Sequence, residues 1–262
     1  SRQLLKKSPH RDHRFFYRDY LLEEDTYKFA SSRREHLLKS NLQKVVDNLD
    51  LYYLATKLKY CCEILNNKNV VAVDYELFLM EEIAAYLDKN SFDHIPIIAI
   101  YYRILKTLMD SEDTTAYREL IDLLSKSHEQ FSQAELFDLY VYAKNYCIRK
   151  INGGETSYFQ ELFELSKETL ENRVIFKGDY ISQWDYKNLV FLALRLQEFD
   201  WAENFIKTSK KDIDPKYRDN AFTYNMANLH FFRKEYDKTL QLLQSVEFTD
   251  VYYHLDSKSL LL

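Results

Sequence analysis

Glycine and proline are scarce: the 262 residues include three of each. A β-sandwich or barrel needs turn residues about every ten positions, and an α/β fold needs glycines at its strand-to-helix turns. A chain this poor in both is most simply built from helices with short polar connections. Gly153, Gly154 and Gly178 fall in two places and build neither a GxxxxGK nor a GxGxxG phosphate loop. Cysteine is equally sparse. Cys61 and Cys62 are adjacent, which suits no ordinary mutual disulfide, and Cys147 stands alone with no CxxC pair to signal zinc. Three core-like cysteines fit a reducing compartment, with one of Cys61 and Cys62 expected to be buried and inert and the other peripheral. Long apolar runs are also missing. The longest uncharged one spans Ile95 to Tyr102, far below the roughly 20 residues of a membrane span. The start, SRQLLKKSPHRDHR, shows no signal peptide, so the expected location is cytoplasmic with no membrane partner. Because the first residue is Ser and not Met, further residues upstream are expected. The net charge of −5, with both signs spread along the chain, argues against a dedicated nucleic-acid binder.

Apolar residues are plentiful, at 46%, and they recur at helical spacing. Leu51, Leu54, Leu58, Cys61 and Leu65 step by three or four; so do Leu136, Leu139, Tyr140, Ala143, Tyr146 and Cys147, and again Leu189, Leu192, Ala193 and Leu196. The best strand candidate is the short run Val70–Val73, in a connection. Breaks between helices have their own chemistry: Asn66, Asn67 and Asn69 as a stop, Ser111-Glu112-Asp113 as a start, Asn152-Gly153-Gly154 as a left-handed stop, and Asp214-Pro215 with Asp214 as a cap. The pattern predicts helices near 11–31, 33–48, 49–66, 73–89, 94–109, 112–130, 132–151, 155–172, 181–197, 199–210, 215–233, 235–246 and 249–262. Three regions follow: a basic segment and helices of unassigned type over 1–48, divergent helical repeats over 49–180, and better-defined repeats over 181–262.

An internal period supports repeats. Tyr75, Tyr117, Phe159, Phe199 and Tyr236 stand near expected helix starts at steps of 42, 42, 40 and 37 residues. A bundle has no reason to repeat itself in this way, whereas stacked helix pairs do. The register is clearest late in the chain: Tyr186-x2-Leu189-Val190-x2-Ala193, then Phe199, Ala202-x3-Ile206 and Pro215; then Thr223-x2-Met226-Ala227-x2-His230, Tyr236 and Thr239-x3-Leu243. Over 183–246 this resembles the tetratricopeptide-repeat (TPR) family, whose pattern runs W-x2-L-G-x2-Y, A-x3-F, P. Ala202 and Ala227 take the small positions, Val190 and Thr239 fill them imperfectly, and His230 replaces an aromatic. The match loosens over 49–172 and is absent over 1–48. The resemblance implies an all-α fold of antiparallel helix pairs stacked as an α-solenoid, a TPR-like superhelix. The closing Leu260-Leu261-Leu262 would leave an apolar end uncovered, so a longer parent chain is expected.

Residues with catalytic or ligand chemistry form no recognisable set. His128-Glu129 begins like HExxH, but Ser132 stands at the second histidine's place. His10-x2-His13 with Asp12 lacks a further ligand nearby, and a solvated basic terminus is the simpler reading. Glu81-Glu82 and Glu23-Glu24-Asp25 read as solvated faces. The basic residues Arg2, Lys6, Lys7, Arg11 and Arg14, followed by Phe15, Phe16 and Tyr17, have the composition of a nucleic-acid surface and equally that of a flexible start before an amphipathic helix. The expectation is therefore no enzyme, no cofactor and no metal, but a scaffold holding a protein or peptide partner. The alternative is a structural or regulatory segment of a larger protein. In the TPR family the first helix of each pair lines the concave surface, which implies a binding face of Trp184, Lys187, Phe191 and Leu194 on one helix beside Tyr224, Asn228 and Phe231 on the next. Leu189, Leu192 and Leu196 are left for packing.

Overall fold

Helix-forming residues with well-placed polar starts account for most of the architecture. A computed structural model describes residues 5, 7–32, 39–68 and 75–246, and 77% of it is helix. Among the described residues eleven α-helices follow one another: α1 (His13–Ser32), α2 (Lys39–Lys68), α3 (Met80–Lys89), α4 (Pro96–Met109), α5 (Thr114–Ser127), α6 (Gln133–Asn152), α7 (Tyr158–Glu171), α8 (Gln183–Arg195), α9 (Phe199–Thr208), α10 (Arg218–Phe232) and α11 (Tyr236–Leu243). The chain divides into two compact units, Ser1–Lys150 and Ile151–Leu262. That division falls near the end of α6. The boundaries expected at 48/49 and 180/181 lie inside α2 and inside a short hairpin.

In the first unit, α1 packs on α2, α2 on α4, and α4 on α5. Helix α4 has Pro96 in its first turn, where the missing N–H costs nothing. Its residues Ile97–Tyr102, Ile104 and Leu105 are all buried. Arg103 and Lys106 occupy its remaining face and pair with Asp93, Glu119 and Asp88, so α4 buries a broad apolar arc and not its whole circumference. Asp113 caps α5 by accepting from Ala116 N at 3.0 Å. Across the core the rings of Tyr117 and Tyr146 stack at 4.3 Å.

Two predicted helix boundaries differ. The break at 48/49 does not occur, and α2 runs through it for 30 residues. Asn48 lies within α2 and points sideways, its Nδ2 donating to Asp19 Oδ2 of α1 at 3.2 Å. The helix expected at 73–89 begins at Met80, because Leu79 adopts a left-handed φ of 61°. Tyr75 therefore precedes its helix, and the aromatic period holds its register only in the last pairs, where Phe199 and Tyr236 both open a helix. Helix 249–262, the run Val70–Val73 and the end of the Asn66–Asn69 stop lie outside the described residues. The left-handed stop at Gly154 is present, with φ 99°. Asp214 Oδ1 accepts from Lys216 N at 2.9 Å, so it caps the turn before α10 and not the helix itself.

The second unit opens with α7 and a two-residue hairpin, β1 (Phe176–Lys177) against β2 (Tyr180–Ile181). Gly178, at φ 66°, supplies its tight turn. Buried Val174, Ile175 and Phe176 supply the strand-forming run. After it come two helix pairs, α8–α9 and α10–α11. Helix α7 packs on α8, α8 on α9, α8 on α10, α9 on α10, and α10 on α11. Val190, Ala193, Ala202, Ala221 and Ala227 of these helices are each 0% exposed. Tyr186 crosses from α8 to donate to the carbonyl of Ile206 on α9 at 2.7 Å.

Candidate functional site

The turns inside the two late helix pairs share one backbone design. At the end of α8, Glu198 N bonds to Ala193 O at 2.9 Å and Gln197 N to Leu194 O at 3.1 Å. At the end of α10, Glu235 N bonds to His230 O at 2.9 Å and Lys234 N to Phe231 O at 2.9 Å. Each is a Schellman stop, with a left-handed residue at its centre: Gln197 at φ 64° and Lys234 at φ 63°. After these stops α9 packs on α8 and α11 on α10, and α8 and α10 are neighbours. The end of α10 is tied to α9 by Arg233, which donates to Glu203 Oε2 at 2.6 Å. With Lys207 on the other side and then Arg233, the Glu203 carboxyl is held down to about 2.

Between α8 and α10 lies a groove of about 480 Å³, lined by Lys187, Asn188, Val190, Phe191 and Leu194 of α8 and by Tyr224, Asn225, Asn228, Phe231 and Phe232 of α10. Six of the seven residues expected on the binding face are therefore brought together. Leu194 and Tyr224 are buried and form its floor, while Phe191 stands 45% exposed. The aromatic wall is built from edge contacts, Phe191 to Phe232 at 6.4 Å and Phe231 to Phe232 at 6.0 Å. Asn225 and Asn228 donate through Nδ2 to the carbonyls of Ala221 and Tyr224 at 2.8 and 3.0 Å. The Lys187 ammonium lies 5.8 Å from the centroids of both Trp184 and Tyr224.

Trp184 is placed differently from the other six. It packs against the cluster of Tyr224, Ala227, Leu243 and Val246, so it supports the groove floor from behind. Asn188, Asn225 and Phe232 line the groove without having been singled out, and Val190, expected at a small packing position, lines it as well. Three- and four-residue spacing finds all four: Val190 from Lys187 and Leu194, Asn188 from Phe191, and Asn225 and Phe232 from Asn228. The groove offers apolar and aromatic area, one ammonium and amide groups.

The strongest electrostatics lie elsewhere, in the first unit. Glu135 is buried, accepts from Lys59 Nζ at 2.7 Å and accepts from Tyr101 OH at 2.6 Å. Burial and the adjacent carboxylate push the Tyr101 hydroxyl well above its ordinary range. Burial chiefly, with Lys59 next, holds His13 below its usual value. Buried Glu135 and Tyr101 and half-buried Lys59 thus pair with one another and join α2, α4 and α6. Its residues are far apart in sequence, and no local spacing announces them.

Several sequence expectations are corrected in this unit. Cys61 and Cys62 are both buried, because both fall within the arc of α2 that faces the core. Burial raises both thiols, Cys62 furthest. Glu23 is buried in spite of its acidic neighbours, whereas Glu81 and Glu82 are exposed. Asp12 caps α1 by accepting from Phe15 N at 2.9 Å. Among the described residues no three His, Cys, Asp or Glu side chains gather as metal ligands. Phe16 is buried, and Arg11 lies 4.2 Å over the Phe15 ring. Three members of the basic-aromatic segment, Arg11, Phe15 and Phe16, thus make contacts within the fold. Among the described residues no helix is long and apolar enough to cross a membrane. Comparisons with protein-family models, with curated proteins and with solved structures return no match to this chain.

Proposed function

We propose that this chain is a protein–protein interaction scaffold and that the groove between α8 and α10 receives an extended or helical segment of a partner protein. The carrying observation is that Lys187, Phe191, Leu194, Tyr224, Asn228 and Phe231, chosen for their place in a TPR-like register, line a single groove. The repeated Schellman stops support reading α8–α9 and α10–α11 as successive TPR-like units, the elements of a solenoid. Rigid aromatics with a few donors are the composition of interface hot spots. The reading assigns the chain binding and no catalytic step or cofactor. The three buried cysteines, none of them in a disulfide, fit a reducing compartment such as the cytoplasm.

The test begins with a partner captured from the native organism and identified. The expected result is that Phe191→Ala and Lys187→Glu each weaken binding about tenfold or more, with thermal melting unchanged. Unaltered affinity in both variants, with the fold intact, would move the binding surface away from this groove.

A further inference from the structure

A cavity of about 540 Å³ opens in the first unit between α2, α3 and the connection from α3 to α4. Asp47, Asp50, Leu51 and Leu54 of α2 stand three, one and three residues apart, so they share one face. Leu54 is buried, whereas both carboxylates are exposed. Tyr53 of α2 and Tyr86 of α3, 42% and 52% exposed, bring aromatic rings to the same cavity. Phe92 and His94 come from the connection. Phe92 meets Tyr86 at 6.0 Å between centroids with the planes 53° apart, and it stacks on His94 at 5.9 Å. The connection is fixed by Ile95 N donating to Phe92 O at 2.8 Å and by Arg103 of α4 donating to Asp93 Oδ1 at 3.1 Å.

The cavity is acidic and aromatic, and among the described residues no lysine or arginine lines it. Asp47 accepts from Gln43 Nε2 at 2.8 Å, a neutral donor. Among the described residues neither Asp47 nor Asp50 has an ion pair, and no cation of the chain lies over Tyr53, Tyr86 or Phe92. On the adjoining helix α4, Arg103 pairs with Asp93 and Glu119, and Lys106 with Asp88. Other rings of this chain carry its own arginines: Arg11 lies 4.2 Å over Phe15, and Arg173 3.9 Å over Phe176. We propose that the cavity receives the guanidinium of an arginine side chain on a partner protein. A guanidinium is planar, so it can lie on a ring face and donate through its edge to carboxylates. A compact ammonium is more strongly hydrated and does not stack. The source is a side chain and not free arginine, whose own carboxylate would meet no basic residue here and would be repelled by Asp47 and Asp50. The site belongs to the first unit and stands independently of the groove proposed above.

The test follows the histidine ring protons of the full chain by NMR while a blocked arginine, N-acetyl-arginine N-methylamide, is added. His94→Gln identifies the signal that reports on the cavity among the seven histidines. A saturable shift of the His94 signal is expected, with a dissociation constant on the order of 1 mM for so small a probe. The citrulline analogue has the same shape and no charge, and it should bind about tenfold more weakly or worse. The lysine analogue and unblocked arginine should each bind about threefold more weakly than the blocked arginine. Asp50→Asn and Phe92→Leu should each weaken binding about fivefold, with an unchanged far-UV spectrum. No shift of the His94 signal, or a shift that citrulline produces equally, overturns the proposal. Binding indifferent to both substitutions overturns it too. A lysine or trimethyllysine analogue that binds as tightly as the arginine probe refutes the guanidinium assignment. Unblocked arginine that binds as tightly as the blocked form refutes a side chain as the source.

Discussion

Ala202 shows how one residue sets the distance between two helices. It lies on α9, which packs on α8 and α10, and is 0% exposed. Ala202→Leu adds three carbons where there is no room, and the expected cost is about 1–3 kcal/mol by chemical denaturation. A variant as stable as the parent would mean that the α8–α9 crossing can open without loss. His13 makes a prediction in pH. Its folded value lies below the ordinary 6.5, chiefly from burial, with Lys59 adding to the effect. A histidine depressed in the folded state binds its proton more readily when unfolded. Its contribution to stability is therefore complete above about pH 6.5 and is lost as the pH falls from there through the lowered folded value. The melting temperature should drop between pH 7.5 and 5.5, and His13→Gln should flatten that drop. Equal slopes for parent and variant would assign the effect to another group.

Helix stops are the element-scale devices of the second unit. Gln197 and Lys234 hold left-handed backbone without being glycine, a conformation that costs an ordinary residue about 1–2 kcal/mol. Gln197→Gly removes that strain at some expense in unfolded-state entropy, so a net gain of about 0.5 kcal/mol is expected. Gln197→Val should destabilise by more than that, because a β-branched residue fits this region worst. Equilibrium unfolding of both variants gives the answer, and a stabilising valine would refute the assignment of the stop. The same scale shows where sequence patterns were readable. Most helices lie within a few residues of their predicted spans, since the 3.6-residue period and caps such as Asp113 are local. The break expected at 48/49 does not occur; Asn48 lies inside α2 and donates laterally to Asp19 on α1, a contact that no local pattern announces. The late start of α3 has a similar cause: the left-handed turn at Leu79 carries no glycine to announce it.

At the scale of the whole molecule, charge governs behaviour in solution. With an isoelectric point near 5.9, solubility should be lowest close to that pH and should recover on either side, as turbidity across a pH series would show. A solubility minimum displaced well into the alkaline range would mean that buried groups carry charges other than their ordinary ones. Length, the shortage of glycine and proline, and the helical period were enough to determine an all-α chain and the residues of each late helix that share a face. They sufficed because both follow from local geometry, and that geometry repeats along the sequence. What lies opposite each face was decided by tertiary structure alone. Only the packing of α8 on α10 closes Lys187, Leu194, Tyr224 and Asn228 into one groove and sends Trp184 behind its floor. Only the joining of α2, α4 and α6 pairs Lys59 with Glu135 and Tyr101, residues 76 and 34 positions from the carboxylate. Helical periodicity names the side chains that share a face, but burial is a property of two surfaces, and one helix carries only its own.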